Sequence, residues 1–170
     1  MLEPYVETLG NLLDGPTGPY RRGVLVILTM TKPAISPKAI AILTTHLEDK
    51  HSSPEESSGI VWALITAASS DPVILHKVLN FVAKRSEVEI TISALQALHP
   101  LQPQDAEALD FIGKSLDGSR EFVREAAVNA VQGWKREVRA KFAAQLGRIA
   151  VDPEEREEVR SRAAAALHDR

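Results

Sequence analysis

Val123-Arg124-Glu125-Ala126-Ala127-Val128-Asn129-Ala130-Val131 returns 36 residues later as Val159-Arg160-Ser161-Arg162-Ala163-Ala164-Ala165-Ala166-Leu167. In each copy apolar residues recur every three to four positions, the period of one helical face, and alanine is the strongest helix former. The pairs Ile27-Leu28, Ala63-Leu64, Ala94-Leu95, Ala130-Val131 and Ala166-Leu167 carry the register along the chain in steps of 36, 31, 36 and 36 residues, within the span of helical-repeat periods. The same register decides Val24-Leu25-Val26-Ile27-Leu28, a β-prone run that on propensity alone reads as a buried strand. Its place in the series makes it a buried helix.

Working outward, the spacing predicts helices over about 2–14, 20–32, 37–50, 55–69, 72–84, 87–98, 104–117, 120–134, 136–150 and 154–168. Asp105, Leu109, Ile112 and Leu116 mark one clear face, and Val123, Ala127, Ala130, Val131 and Trp134 another. Asp14-Gly15-Pro16 halts the first helix, since glycine and proline do not continue it. Ser36-Pro37, Ser53-Pro54, Asp71-Pro72, Gln102-Pro103 and Asp152-Pro153 mark helix starts, because proline suits the first turn, where its missing N–H has no partner to lose. All but one of these put Ser or Asp at the N-cap. Short connections then force consecutive helices into antiparallel hairpins.

The two quoted stretches resemble HEAT repeats, whose loose pattern is Val-Arg, paired alanines and an Ala-Leu type ending. By period the resemblance covers the chain; by motif it runs only from about Ser119, since bulkier apolar residues replace the arginine and alanines in the early copies. It implies an all-α fold, a superhelix of about four to five HEAT-like hairpin repeats of the HEAT or armadillo kind. The expected organisation is a single domain over 1–170, with units near 20–50, 55–84, 87–117 and 120–150 and unpaired helices at 2–14 and 154–168. Small alanines would let the helices of a hairpin approach closely while Val and Leu fill the space between neighbours. The resemblance further implies a scaffold that binds another protein along a concave surface made by the second helix of each pair, near 37–50, 72–84, 104–117 and 136–150.

Composition narrows the function classes. With 170 residues, ordinary apolar and charged fractions and a net charge of −3, the chain reads as one globular domain without global attraction to nucleic acid or anionic lipid. The absence of cysteine removes disulfides, thiol nucleophiles and cysteine-type zinc sites and suits a reducing compartment, so a cytoplasmic location is expected. No run of about 18 apolar residues is present to span a bilayer, and Glu3 and Glu7 stand where a secretory signal needs basic residues. His46, His51, His76, His99 and His168 are scattered without ligand spacing, so neither a metal nor another cofactor is expected. Gly15-Pro16-Thr17-Gly18 lies between helices with no lysine in place for a phosphate, and neither a Gly-x-Ser-x-Gly elbow nor a Ser-x-x-Lys occurs. Paired carboxylates such as Glu55-Glu56, and Glu154, Glu155, Glu157 and Glu158, read as helix-start charges that suit the macrodipole. No catalytic residue is assigned.

Three groups of residues carry the candidate sites. Trp134 falls on a core face, whereas Trp62 lies off the line through Ile60, Val61, Leu64 and Ile65 and is a candidate contact residue. Between Arg120 and Arg148 seven basic residues face three acidic ones, with Arg136 and Arg139 on one flank of their helix and Lys141 and Arg148 on the other. Glu121 precedes Arg124 by three and Glu137 precedes Lys141 by four, spacings that favour self-pairing within a helix. The alternative to a protein scaffold is therefore a nucleic-acid-binding protein related in fold to HEAT-like DNA glycosylases, with Arg136 and Arg139 on phosphates and Trp62 on a base. On the last helix, Val159, Ala163, Ala166 and Leu167 should dock inward. Ser161, Ala164, Ala165 and His168 then form a small uncharged face, and Ala164 and Ala165 are candidates for contact in a homodimer.

Overall fold

The computed structural model describes residues 6–13, 23, 24, 27, 37–49, 52–67 and 71–168, and among these it is helical without strands. The helices are α1 (Val6–Leu13), α2 (Pro37–Leu47), α3 (Pro54–Ala67), α4 (Pro72–Ala83), α5 (Val88–Leu98), α6 (Ala106–Asp117), α7 (Glu121–Gln132), α8 (Arg136–Arg139), α9 (Ala143–Val151) and α10 (Glu157–His168), with a 3-10 turn over Ala140–Phe142. Most of the predicted 20–32 helix lies outside the described residues; within it Val24 and Ile27 are helical and Val24 is buried. The chain divides into two compact units, Met1–Ala94 and Leu95–Arg170, the division falling inside α5.

In the first unit α1 packs on α2, α2 on α3 and α3 on α4. The apolar residues that close this core, Leu43, Leu47, Ile60, Leu64, Ile65, Val78 and Leu79, are all buried. Ser53-Pro54 begins α3 as expected, through a reciprocal capping box. The Ser53 N–H donates to Glu56 Oε2 at 3.0 Å and the Glu56 N–H to Ser53 Oγ at 3.2 Å. At the start of α4, Asp71 Oδ1 accepts from the N–H groups of Val73 and Ile74, with Pro72 in the first turn. Ser93 Oγ on α5 donates to the Ser58 carbonyl of α3 at 2.8 Å. Before α5, the Glu87 carboxyl is held below the usual carboxylate range, first by its own backbone N–H and further by the Arg85 guanidinium 2.9 Å away.

In the second unit α6 packs on α7 and α9 on α10, while α7 also meets α10 and α6 meets α9. Ile112, Leu116 and Leu146 are buried as the pattern requires, and Leu109 is half-buried. On α10, Val159, Ala163 and Ala166 are buried, but Leu167 is not. It stands 37% exposed, because the buried face has ended one residue earlier at Ala166.

Two proline signals mark turns and not helix starts. After Gln102-Pro103, α6 waits until Ala106 and takes Asp105 as its cap, whose Oδ1 accepts from Glu107 N at 2.9 Å and Ala108 N at 3.1 Å. Asp105 thus belongs to the N-terminus and not to the apolar face. Gln102 sits at φ 47°, so the chain is still turning when Pro103 is reached. After Asp152-Pro153, Asp152 Oδ1 accepts from Glu154 N at 2.9 Å, a local Asx turn that competes with helix, and α10 begins only at Glu157.

The predicted 136–150 helix is interrupted. Three residues in 3-10 geometry advance about 120° each instead of 100°, so the face assigned to Lys141 and Arg148 from a continuous helix is rotated. The interruption delivers Phe142 to the interior, 3% exposed, with its ring centroid 6.4 Å from that of Trp134. It also separates Glu137 from Lys141, and the two make no ion pair.

A clasp joins the turn after α5 to the turn after α7. Trp134 Nε1 donates to the His99 carbonyl at 2.6 Å, and the Lys135 N–H to Gln102 Oε1 at 3.1 Å. His99 Nδ1 lies 3.0 Å from the Ala130 carbonyl, which can only accept, so Nδ1 carries the proton in this contact. A Cβ on Gly133 would come within 2.7 Å of His99 Cε1, so this glycine is there for close approach. Gly133→Ala should cost about 1 kcal/mol by pushing the ring off Ala130. In a His99→Ala background the same substitution should cost almost nothing, and equal losses in the two backgrounds, measured by urea titration, would exclude the ring as the obstacle.

Candidate functional site

The second unit carries a cleft of about 490 Å³ where the end of α6 and the turn into α7 face α9 and the turn that follows it. Leu116 and Ile149, both buried, contribute its apolar lining. Its polar lining comes from four segments: Asp117 at the end of α6 with Ser119 beyond it, Arg124 on α7, Gln145 and Arg148 on α9, and Asp152 and Glu154 after α9.

Arg124 is fixed on two sides. Its Nε meets Glu155 Oε2 at 2.5 Å and its Nη1 donates to the Gly118 carbonyl at 2.7 Å. Glu155 is a buried carboxylate with 1% of its side chain exposed, against 21% for Arg124, so most of the solvation it lacks is replaced by this guanidinium. Arg148 Nη2 meets Asp117 Oδ1 at 2.6 Å across α9 and α6, in the open. Such a pair adds little to stability and leaves Arg148 able to turn elsewhere.

A second set of charges runs along the seam of α7 and α10. Arg156 bridges Glu121, at 2.5 Å, and Glu125, and its guanidinium carbon stands 5.8 Å from the centre of the exposed Phe122 ring. Arg162 donates to Asn129 Oδ1 at 2.6 Å and to Glu158. The self-pairing expected of Glu121 with Arg124 is therefore replaced by exchange between segments: Glu121 goes to Arg156, and Arg124 to Glu155. Glu155, read from sequence as a helix-start charge, is the buried partner in the turn before α10. A two-residue run of glutamates carries no mark of which one will be buried.

The sequence-predicted site residues are divided between the two units. Trp62 is half-buried on α3 in the first unit. Arg136 is exposed at the start of α8, whereas Arg139 is buried, 7% exposed, with Nη1 donating to the Gln132 carbonyl at 3.3 Å. Only Arg136 of that pair is presented to solvent. Ala164 and Ala165 are half-buried on α10. Among the described residues no cluster of three or more metal-ligating side chains occurs, and no helix is long and apolar enough to cross a membrane.

Fold and site together define an all-helical protein with a polar, mixed-charge cleft in its second unit. No protein-family model, no curated protein and no solved structure matches the chain.

Proposed function

We propose that the chain is a non-enzymatic protein-interaction module, a HEAT- or armadillo-like stack of helical hairpins working in the cytoplasm and binding another protein through the second helix of each hairpin, α2 and α4 in the first unit and α6 and the α8–α9 segment in the second. The observation that carries this reading is the spacing of the long-range hydrogen bonds. Eight of them join residues 31 apart (His99 to Ala130, Arg148 to Asp117, Arg124 to Glu155, Arg156 to Glu125), 33 apart (Lys135 to Gln102, Arg162 to Asn129) or 35 apart (Ser93 to Ser58, Trp134 to His99). Contacts that return near one repeat length are what stacked repeats make, because each unit touches mainly its neighbours. The step from stacked repeats to partner binding rests on analogy with such surfaces.

Affinity purification with the full chain, reconstitution of each retained protein in pure form and hydrogen exchange of the reconstituted pair test the reading. Slowed exchange over Pro72–Ala83, Ala106–Asp117 and Ala143–Val151 is expected. Failure of every candidate to bind in pure form, or protection confined to other helices, overturns it. The nucleic-acid alternative gains nothing from Arg139, whose guanidinium is turned to Gln132.

A further inference from the structure

The cleft of the second unit keeps hydrogen-bonding groups that the fold leaves over. Arg124 uses Nε and Nη1 on Glu155 and Gly118, so Nη2 remains without a partner among the described residues. Arg148 holds Asp117 through Nη2 alone. The side chains of Gln145 and Ser119 line the same space without hydrogen bonds to other described residues. The acceptors are Asp152, whose Oδ1 takes the Glu154 N–H, and the Glu154 carboxylate, and neither residue has a cationic partner among the described residues.

This inventory restricts the ligand by charge. Asp152, Glu154 and Asp117 repel a polyanion, and the two guanidiniums repel a simple cation. A molecule with both charges a few bonds apart satisfies both halves. Guanidiniums are planar forks that match a carboxylate through paired N–H donors, and exposed carboxylates match an ammonium. The volume of about 490 Å³ is within the range of a small-molecule site, and since Leu116 and Ile149 are almost wholly covered, the surface it offers is mainly polar.

We propose that this cleft binds a small zwitterion of the amino-acid or short-peptide class, its carboxylate taken by Arg124 and Arg148 with Gln145 and Ser119, its ammonium by Asp152 and Glu154. The site lies within one unit, so the inference is independent of the solenoid reading and of any protein partner.

Calorimetric titration of the full chain with alanine, dialanine and trialanine tests it, beside N-acetyl-dialanine, dialanine amide and inorganic phosphate. At least one of the three uncapped probes should bind saturably, the strongest of them giving the length the cleft accepts. Removing either charge by capping dialanine should weaken binding tenfold or more, and phosphate should not bind. Arg148→Ala should weaken the best uncapped probe by tenfold or more, the scale of a lost charge-assisted contact. The Arg148–Asp117 pair is exposed, so the thermal midpoint should stay put. Glu154→Gln should act on the ammonium side alone, weakening the free peptide but not its N-acetyl form. No saturable binding by any uncapped probe, equal binding of capped and uncapped dialanine, or an unchanged affinity in a folded Arg148→Ala protein overturns the proposal.

Discussion

Arg124→Ala should destabilise the second unit by about 3 kcal/mol, the scale of removing one partner from a buried ion pair. The loss comes from what the substitution leaves behind. Glu155 keeps 1% of its side chain exposed, and without the guanidinium its charge would face a low-dielectric interior with only backbone donors near. The Gly118 carbonyl would lose its donor as well. Arg124 itself is 21% exposed, so water entering the vacated space offsets part of the penalty and keeps the figure below the upper end for fully buried pairs. Arg124→Leu combined with Glu155→Leu should cost less than Arg124→Ala alone, because the double change removes the stranded charge with its partner. Urea titration followed by tryptophan fluorescence reads both, since Trp134 is in this unit and buried. A loss for Arg124→Ala below about 0.5 kcal/mol, the range of ordinary surface changes, would mean that Glu155 reaches solvent.

This pair also shows where sequence reasoning reaches its limit. Helix positions follow from local terms, so Ser53-Pro54 and Asp71-Pro72 begin helices as expected, and Ile112, Leu116, Val159, Ala163 and Ala166 are buried on the faces their spacing assigns. Those signals act within one or two turns. Glu155 is buried by an arginine 31 residues away, and nothing in Glu154-Glu155 distinguishes the buried glutamate from the exposed one. The break at Ala140–Phe142 has the same character: alanine and lysine favour continuous helix there, and the geometry yields to the packing of Phe142 on Trp134. The cleft was illegible because its polar groups come from four segments, none of which carries a contiguous motif. Conversely, Arg136 and Arg139 looked alike on a helical wheel, and only burial separates them.

The largest effect is expected from Leu146→Ala, at about 2–5 kcal/mol. Leu146 is 0% exposed on α9, the helix that packs on both α6 and α10, so a cavity there loosens two contacts at once. The neighbouring helices are tied elsewhere, α6 to α9 through Asp117 and Arg148 and α10 to α7 through Glu125 and Arg162, so they can collapse only partly into the space, which keeps the cost in the range for unrelaxed cavities. Leu146→Met, which conserves volume, should cost less than about 1.5 kcal/mol and serves as the control. The position of the loss matters as much as its size. Because the chain forms two compact units, exchange of the amides of Glu121–Gln132, Ala143–Val151 and Glu157–His168 should speed up, while those of Pro37–Leu47 and Pro54–Ala67 should keep their wild-type rates. Equal acceleration across both sets would mean that the two units unfold as one cooperative body. Confinement to Glu121–Gln132, Ala143–Val151 and Glu157–His168 would mean that the stability Leu146 supplies stays within its own unit, as nearest-neighbour packing requires.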